Sequence, residues 1–188
     1  MGIFNENTRV QVPAALHLCK LGYQYLDEND IMVYDHKTNI LTDVFLRSVK
    51  RINPEVSSEE VSTLYSKVVN MADNADLGRE FYALLSANSG VKLVDFENPD
   101  NNEWHVTTEF TCHNDETDDE FRPDITCFVN GMPLAFIEVK KPNNHEGILA
   151  ERDRINMRMS KKCFRTFFNI TQLMIFSNNQ EYDNTNRV

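Results

Sequence analysis

Apolar residues are spaced differently in the two halves of the chain, and the first half has the spacing of helices. Between residues 5 and 22 they recur along one helical face, and Gly22 is suited to end such a helix. Thr42 is a candidate cap of a second helix, and Ser57 with Glu60 matches the Ser-x-x-Glu capping box of a third. The pattern predicts four helices, over residues 5–22, 42–53, 57–73 and 76–88.

After Gly90 the pattern changes to the alternation of apolar and polar residues that is typical of strands. Asn130-Gly131 is a strong signal for a tight turn between two of them. A basic helix is predicted after Pro142, then a short second helix, so the order of elements indicates one mixed α/β domain. The predicted strands span residues 91–97, 103–113, 124–130, 133–140 and 173–178.

The composition is that of a folded domain and excludes several other classes of protein. Apolar residues make up 41% and charged residues 26% of the 188, which suits a globular unit rather than a disordered segment. No run approaches the about 18 apolar residues of a membrane span, and the N-terminus does not resemble a secretory signal. The four cysteines are widely separated, so we expect reduced thiols in a cytoplasmic protein, three of them in the core.

Charge is distributed unevenly along the chain. The formal net charge of -10 by itself argues against a nucleic-acid partner. Residues 1–120, however, hold 9 Lys+Arg against 22 Asp+Glu, a net of -13, whereas residues 121–165 hold 9 against 5, a net of +4. The sign therefore changes where the predicted hairpin begins, which indicates either a local surface for an anionic partner or chance clustering on a solvated helix.

The hairpin reads RPDITCFVNGMPLAFIEVKK, and its two strands are mostly apolar. The charged residues within the predicted strands are Asp124, Glu138 and Lys140. Side chains alternate along a strand, so Glu138 and Lys140 project to one face. The turn at Asn130-Gly131 folds the chain back and brings Asp124 beside the same strand end. Two carboxylates suit Mg²⁺, and a neighbouring lysine can offset charge that develops on a phosphate. The alternative is a surface ion pair, with an aspartate that only shapes the strand entry.

Pro123-Asp124 followed by Glu138-Val139-Lys140 resembles the PD-(D/E)XK motif of nucleases. The longer text FVNGMPLAFIEVKKP is similar, across both strands and the turn, to the N-terminal nuclease domain of the R subunit of type I restriction enzymes. The resemblance extends over most of the chain, with the hairpin as its most specific part. It implies an α/β fold with a restriction-endonuclease-like core: a mixed sheet flanked by helices, in the order helix, three strands, helix, strand, with extra N-terminal helices.

The resemblance also implies roles for individual residues. Asp124 and Glu138 would hold Mg²⁺, for which Mn²⁺ can substitute, with the backbone carbonyl of Val139 as a third ligand and Lys140 as the catalytic lysine. Many members carry a further acidic residue on the first helix, and Glu6 is the best match in this sequence. The alternative for Glu6 is a carboxylate that only stabilises the start of the helix.

The helix after the hairpin departs from the family pattern. Related nucleases place a Gln-x-x-x-Tyr motif there, whereas this sequence reads AERDRINMRMSKK. Arg154 and Arg158 are four residues apart and share a helix face. Together with Arg152 and Lys141 they are our candidates for contacts with DNA phosphates. A solvated face, or a docking surface for another domain, is the alternative.

The sequence and its resemblance together predict an endonuclease domain over residues 1–188 that hydrolyses DNA phosphodiesters with Mg²⁺. The chain lacks a Gly-x-x-x-x-Gly-Lys-Ser/Thr loop, so ATP would act only through a motor domain, and we expect an N-terminal fragment of a longer R subunit. The implied partners are double-stranded DNA, that translocase, and the modification and specificity subunits. The alternatives are a non-catalytic docking module of nuclease fold and a stand-alone repair nuclease.

Overall fold

The fold is given by a computed structural model, which describes residues 10–27, 31, 34–87, 89–113, 119–141 and 145–177. Glu6, the acidic candidate of the first helix, lies outside these residues. The strands are β1 (Gln24–Tyr25), β2 (Trp104–Thr108), β3 (Ile125–Val129), β4 (Met132–Val139) and β5 (Leu173–Ser177). The helices are α1 (Val12–Lys20), α2 (Thr42–Ile52), α3 (Ser58–Ala72), α4 (Arg79–Leu85), α5 (His145–Met159) and α6 (Arg165–Ile170).

The strands form one mixed sheet in the order β1-β2-β3-β4-β5. The outer pairs, β1 with β2 and β4 with β5, are parallel, and the two inner pairs are antiparallel. The predicted α/β class with a mixed sheet is therefore confirmed. The predicted order of helix, three strands, helix and strand is matched only roughly, because a two-residue strand and three helices come between α1 and β2. A restriction-endonuclease-like core stays a prediction.

The starts of α2 and α3 differ in how their free N–H groups are satisfied. The Ser57 hydroxyl accepts from the Glu60 N–H at 3.2 Å, and the Ser57 N–H donates to the Glu60 carboxylate at 2.8 Å, which confirms the predicted capping box. The prediction that Thr42 caps α2 is wrong. Leu41 holds the cap position, and its hydrocarbon side chain cannot accept a cap bond; its N–H donates to the Gly131 carbonyl at 2.9 Å and fixes the entry into the helix.

The predicted strand over residues 91–97 is wrong, since this segment is irregular. The Asp95 N–H donates to the Asn102 side-chain oxygen at 2.8 Å, and the Asn102 amide donates back to the Asp95 carbonyl at 2.8 Å. A side-chain amide thus takes the bonds that a neighbouring strand would make. Such local competition with the backbone is a known property of Asn and Asp.

The strand predicted over residues 103–113 is real but ends early, at Thr108. Glu109 has φ of 54°, in the left-handed region, which is incompatible with a continuing strand. Beyond it, among the described residues, the pairing continues only as an isolated bridge between Cys112 and Phe121. The early end of β2 turns the chain away just beside the start of β3.

The turn between β3 and β4 confirms the predicted hairpin. Asn130 and Gly131 both have positive φ, 49° and 79°, as a two-residue hairpin turn with matching twist requires. A Cβ added at Gly131 would lie 2.5 Å from the Leu41 carbonyl oxygen, so the turn also needs a residue without a side chain. The pairing then runs back to Ile125 opposite Ile137, with one register shift between Cys127 and Phe128.

Helices cover both faces of the sheet. On one face α1 packs against a buried cluster that contains Val106, Ile125 and Val139. On the other face α5 and α6 pack on aromatic residues, where Phe136 lies 5.5 Å from Phe121 between ring centroids. A third cluster joins α2, α3 and α4 to the hairpin end of the sheet. The end of the hairpin away from its turn therefore lies between α1 and α5.

The four cysteines are free thiols, as predicted. The expectation that three lie in the core is wrong, because only Cys112 and Cys127 are buried, while Cys19 and Cys163 are half-buried. Burial raises the pKa of the Cys127 thiol to about 12. Among the described residues no helix is both long and apolar enough to cross a membrane.

Candidate active site

The hairpin places two carboxylates opposite each other on neighbouring strands. Ile125 pairs with Ile137, so Asp124, one residue earlier, faces Glu138, one residue later. The Asp124 carboxylate accepts a hydrogen bond from the Val139 N–H at 2.8 Å. Backbone register and this bond together fix Asp124 at the strand ends, beside Glu138.

The backbone of Asp124 is held from two further directions. Its carbonyl accepts from the Glu109 N–H at 3.0 Å, because the left-handed turn that ends β2 points this N–H across to β3. The same carbonyl accepts from the side-chain amide of Gln11 at 2.7 Å. Gln11 is buried and directly precedes α1, so the start of the first helix contacts this site through Gln11.

Glu138 is buried, with 6% of its surface exposed. The pKa of its carboxyl group is raised to about 8, mainly by burial and then by the negative charges of Asp124 and Glu151, while Lys140 acts in the opposite direction. At neutral pH the carboxyl of Glu138 therefore holds a proton much more strongly than an exposed glutamate does. A positive charge placed between Glu138 and Asp124 would relieve the same repulsion.

Lys140 follows on the same face, directly after β4. Its Nζ lies 3.3 Å from Oε2 of Glu151, which belongs to α5, and its side chain is mostly buried. Its backbone N–H donates to the Ser177 carbonyl of β5 at 2.8 Å. The backbone of Lys140 is thus tied to β5 and its ammonium group to α5.

Glu151 was not among the residues that the sequence predicts for this site. It is only 4% exposed, and Nη1 of Arg154 lies 3.1 Å from its Oε2. Two cations, those of Lys140 and Arg154, therefore converge on one buried oxygen. The only signal in the sequence is a glutamate three residues before an arginine on a basic helix, which is common on exposed helices and does not identify a buried site.

The predicted DNA-contacting residues lie on α5 and just before it. The Arg158 guanidinium lies 4.9 Å from the centroid of the Phe121 ring, an arrangement that holds it against the aromatic cluster. Arg152 is exposed and pairs with Asp153 at 3.2 Å, and Lys141 is exposed. Their contact with DNA stays a prediction. One cationic side chain of α5 does lie near Lys140, since Arg154 shares its partner Glu151.

The donor set suits a hard divalent cation only if oxygen atoms other than side-chain carboxylates complete it. Within the described part of the chain, no group of three or more His, Cys, Asp or Glu side chains is arranged to hold a metal ion. Asp124 and Glu138 supply two carboxylates that repel each other when both are ionised. Mg²⁺ is commonly held by one or two carboxylates together with water and substrate oxygens, so this pair fits that cation.

Sequence comparison relates the chain to one part of type I restriction enzymes. Residues 3–186 match the family described as the N terminus of the type I restriction enzyme R protein. A Methanocaldococcus jannaschii protein, provisionally named as the type I restriction enzyme MjaIXP endonuclease subunit, is 29% identical over 94% of this chain and 19% of its own length. The type I restriction enzyme HindI endonuclease subunit of Haemophilus influenzae is 27% identical over 74% of this chain and 15% of its own length.

These comparisons concern the beginning of much longer proteins, because this chain spans less than a fifth of either relative. The family match, by contrast, covers nearly the whole chain and includes the hairpin with Asp124, Glu138 and Lys140. The sequence resemblance stated above is thereby confirmed. The chain belongs to the family formed by the N termini of type I restriction enzyme R proteins.

Proposed function

We propose that this domain hydrolyses DNA phosphodiester bonds with Mg²⁺, as the endonuclease part of a type I restriction R subunit. The observation that carries the proposal is the pairing of Asp124 with Glu138 across the strand ends, with Lys140 on the same face two residues later. A structural role alone does not account for it, because a buried carboxyl group beside a second, half-buried carboxylate costs stability unless a cation or a proton lies between them.

The residues of the chain would divide the chemistry among themselves. Asp124 and Glu138, with the backbone carbonyl of Val139, would hold Mg²⁺, which when bound polarises the phosphate and lowers the pKa of a coordinated water. Glu138 would give up its proton as the cation binds. The Val139 N–H keeps the Asp124 carboxylate oriented, and the Lys140 ammonium group would stabilise negative charge on the phosphate.

DNA is the proposed substrate, and the basic side chains around the site are its proposed contacts. Arg152, Arg154 and Arg158 lie on α5. Glu151 of the same helix pairs with Lys140, which follows Glu138 on the same face of the sheet. The curated relatives are named as endonuclease subunits, which favours a restriction subunit over a stand-alone repair nuclease. We further propose that the remainder of the subunit is an ATP-driven translocase and that modification and specificity subunits select the DNA.

The direct test uses the full-length subunit assembled with its partner subunits. Asp124→Ala should reduce cleavage of plasmid DNA by at least about 100-fold, since a bound metal contributes several kcal/mol of charge stabilisation. Glu55→Gln, at an exposed position outside the site, is the matched control and should cleave at the normal rate. Cleavage by Asp124→Ala at the rate of the unchanged enzyme would overturn the proposal.

A non-catalytic docking module is the second candidate, and one observation favours it. Residues 1–120 carry a net charge of -13, which opposes a general affinity for DNA. In that case the subunit would need this domain for assembly but not for cleavage. Normal cleavage by the Asp124→Ala enzyme, together with loss of assembly when the whole domain is removed, would establish the docking function instead.

A further inference from the structure

We infer that Glu151 is a positioning residue, which holds the ammonium group of Lys140 where the proposed cleavage reaction needs it. This inference rests on the proposed function and adds a residue of α5 to the two strands that carry the motif. The family resemblance assigns no role to Glu151. The motif that it does place on this helix, Gln-x-x-x-Tyr, is missing from this sequence. Glu151 is buried, and two cationic side chains contact its carboxylate.

The contacts of Glu151 tie the lysine to a rigid part of the fold. Its Oε2 lies 3.3 Å from Nζ of Lys140 and 3.1 Å from Nη1 of Arg154. One helical turn later, Ile155 is 1% exposed and packs in the aromatic cluster beneath the sheet. Because Ile155 is packed one helical turn away, the backbone at Glu151 is held in place. Glu151 therefore offers Lys140 a fixed partner.

The cost of burying a charge indicates that the ion pair of Glu151 and Lys140 serves a purpose other than folding. A carboxylate that is 4% exposed loses most of its hydration, and an ion pair inside a protein often repays no more than that loss. An apolar residue at position 151 would pack at least as well. The charge is therefore better accounted for by what it does to Lys140 than by its contribution to folding.

Lysine has a flexible stem with four methylene groups, and it fixes its own ammonium group poorly. Within the hairpin, Lys140 interacts electrostatically with Glu138, which the proposed metal would occupy. Glu151 supplies a carboxylate from α5, outside the proposed metal-ligand pair. Lys140 would then stay beside the metal ligands instead of turning to solvent when the cation neutralises them.

The first test measures cleavage by the assembled enzyme with Glu151→Gln, which keeps the shape of the side chain and removes its charge. We expect the cleavage rate at saturating DNA to fall about 10- to 100-fold, as misplacement of a catalytic group does elsewhere, with DNA affinity within about twofold of normal. Glu55→Gln is the matched control and should change neither value. A normal cleavage rate for Glu151→Gln would overturn the inference.

A double-mutant comparison shows whether Glu151 acts through the lysine. With Lys140→Met already present, Glu151→Gln should cause no further loss of cleavage, because the group that it positions is gone. If Glu151 only stabilised α5, Glu151→Gln would instead reduce cleavage by the same factor with and without Lys140→Met. That result would also overturn the inference. If Asp124→Ala cleaves normally as well, the proposed function has failed, and the two failures are thereby told apart.

A spectroscopic measurement on the metal-free 188-residue chain tests the positioning without any reaction. In a ¹³C-lysine spectrum, the two ε protons of a held lysine are inequivalent, and Lys140→Arg identifies the signal. We expect separate ε-proton shifts for Lys140 in the unchanged chain and a single averaged shift in Glu151→Gln. Lys92, paired at 3.3 Å with the exposed Glu97, serves as the internal control and should be averaged in both. Unchanged separation at Lys140 in the variant would contradict the inference.

Discussion

Replacement of Glu138 by glutamine should stabilise the metal-free domain, and increasingly so as the pH rises. In the folded chain the pKa of Glu138 is raised to about 8, because the carboxyl is buried beside Asp124 and Glu151. In the unfolded chain the group ionises at its ordinary pKa of 4.5. Between these two values the folded state binds the extra proton, so stability falls as the pH rises through this window. Glutamine imitates the protonated acid and cannot ionise.

The size of the effect follows from the difference between the two pKa values. One pKa unit corresponds to about 1.4 kcal/mol, so ionisation of Glu138 should cost the unchanged chain about 3 kcal/mol between pH 5 and pH 8. That is a large part of the stability of an ordinary domain, which is about 5 to 15 kcal/mol. Above pH 8 the cost reaches a plateau, because the carboxyl is then ionised in the folded state as well.

Urea unfolding in EDTA, followed by circular dichroism at half-unit steps from pH 5 to pH 8.5, measures this difference. The free energy of unfolding of Glu138→Gln minus that of the unchanged chain should be about 1 kcal/mol at pH 5 and grow to about 4 kcal/mol at pH 8. Glu55→Gln should track the unchanged chain throughout. A constant difference across this range would refute the claim that Glu138 is a desolvated carboxyl beside like charges.

Three other substitutions test the supporting structure, each by urea unfolding, and one tests DNA contact. Gly131→Ala should lose more than about 1 kcal/mol, because φ is 79° and the new Cβ would meet the Leu41 carbonyl. Phe136→Ala should lose about 3 to 5 kcal/mol, since the ring is fully buried. Ser57→Ala should lose about 1 kcal/mol with the capping box. Arg158→Gln in the assembled enzyme should weaken DNA binding and lower its salt dependence by about one counterion, as a fluorescence-anisotropy titration would show.

The hairpin could be predicted because local and long-range signals agree there. Asn130 and Gly131 require positive φ, and the apolar strands on either side bury themselves in only one register. Once that register is fixed, Asp124 must face Glu138. The strand predicted over residues 91–97 was wrong for a local reason. Apolar and polar residues alternate there as in a strand, but the Asn102 side chain makes the hydrogen bonds to the Asp95 backbone that a neighbouring strand would otherwise make.

Gln11 and Glu151 could not be found from the sequence, because their partners are distant along it. Gln11 meets Asp124 across 113 residues, and only the packing of α1 against the sheet brings them together. Glu151 is buried, although the charged residues next to it in the sequence are typical of an exposed helix. Its burial depends on how α5 packs on the aromatic cluster. Residue types and spacing predict which groups could react, whereas the groups that hold them depend on tertiary contacts.

Calorimetric titration of Mn²⁺ into the 188-residue chain shows whether Asp124 and Glu138 form a metal site. The unchanged chain should bind Mn²⁺ with measurable heat, more tightly at pH 8 than at pH 6 because the cation displaces the proton of Glu138. Asp124→Ala should lose most of that heat, and Glu55→Gln should keep it. Equal binding by the unchanged chain and Asp124→Ala, with and without a DNA duplex, would contradict the account.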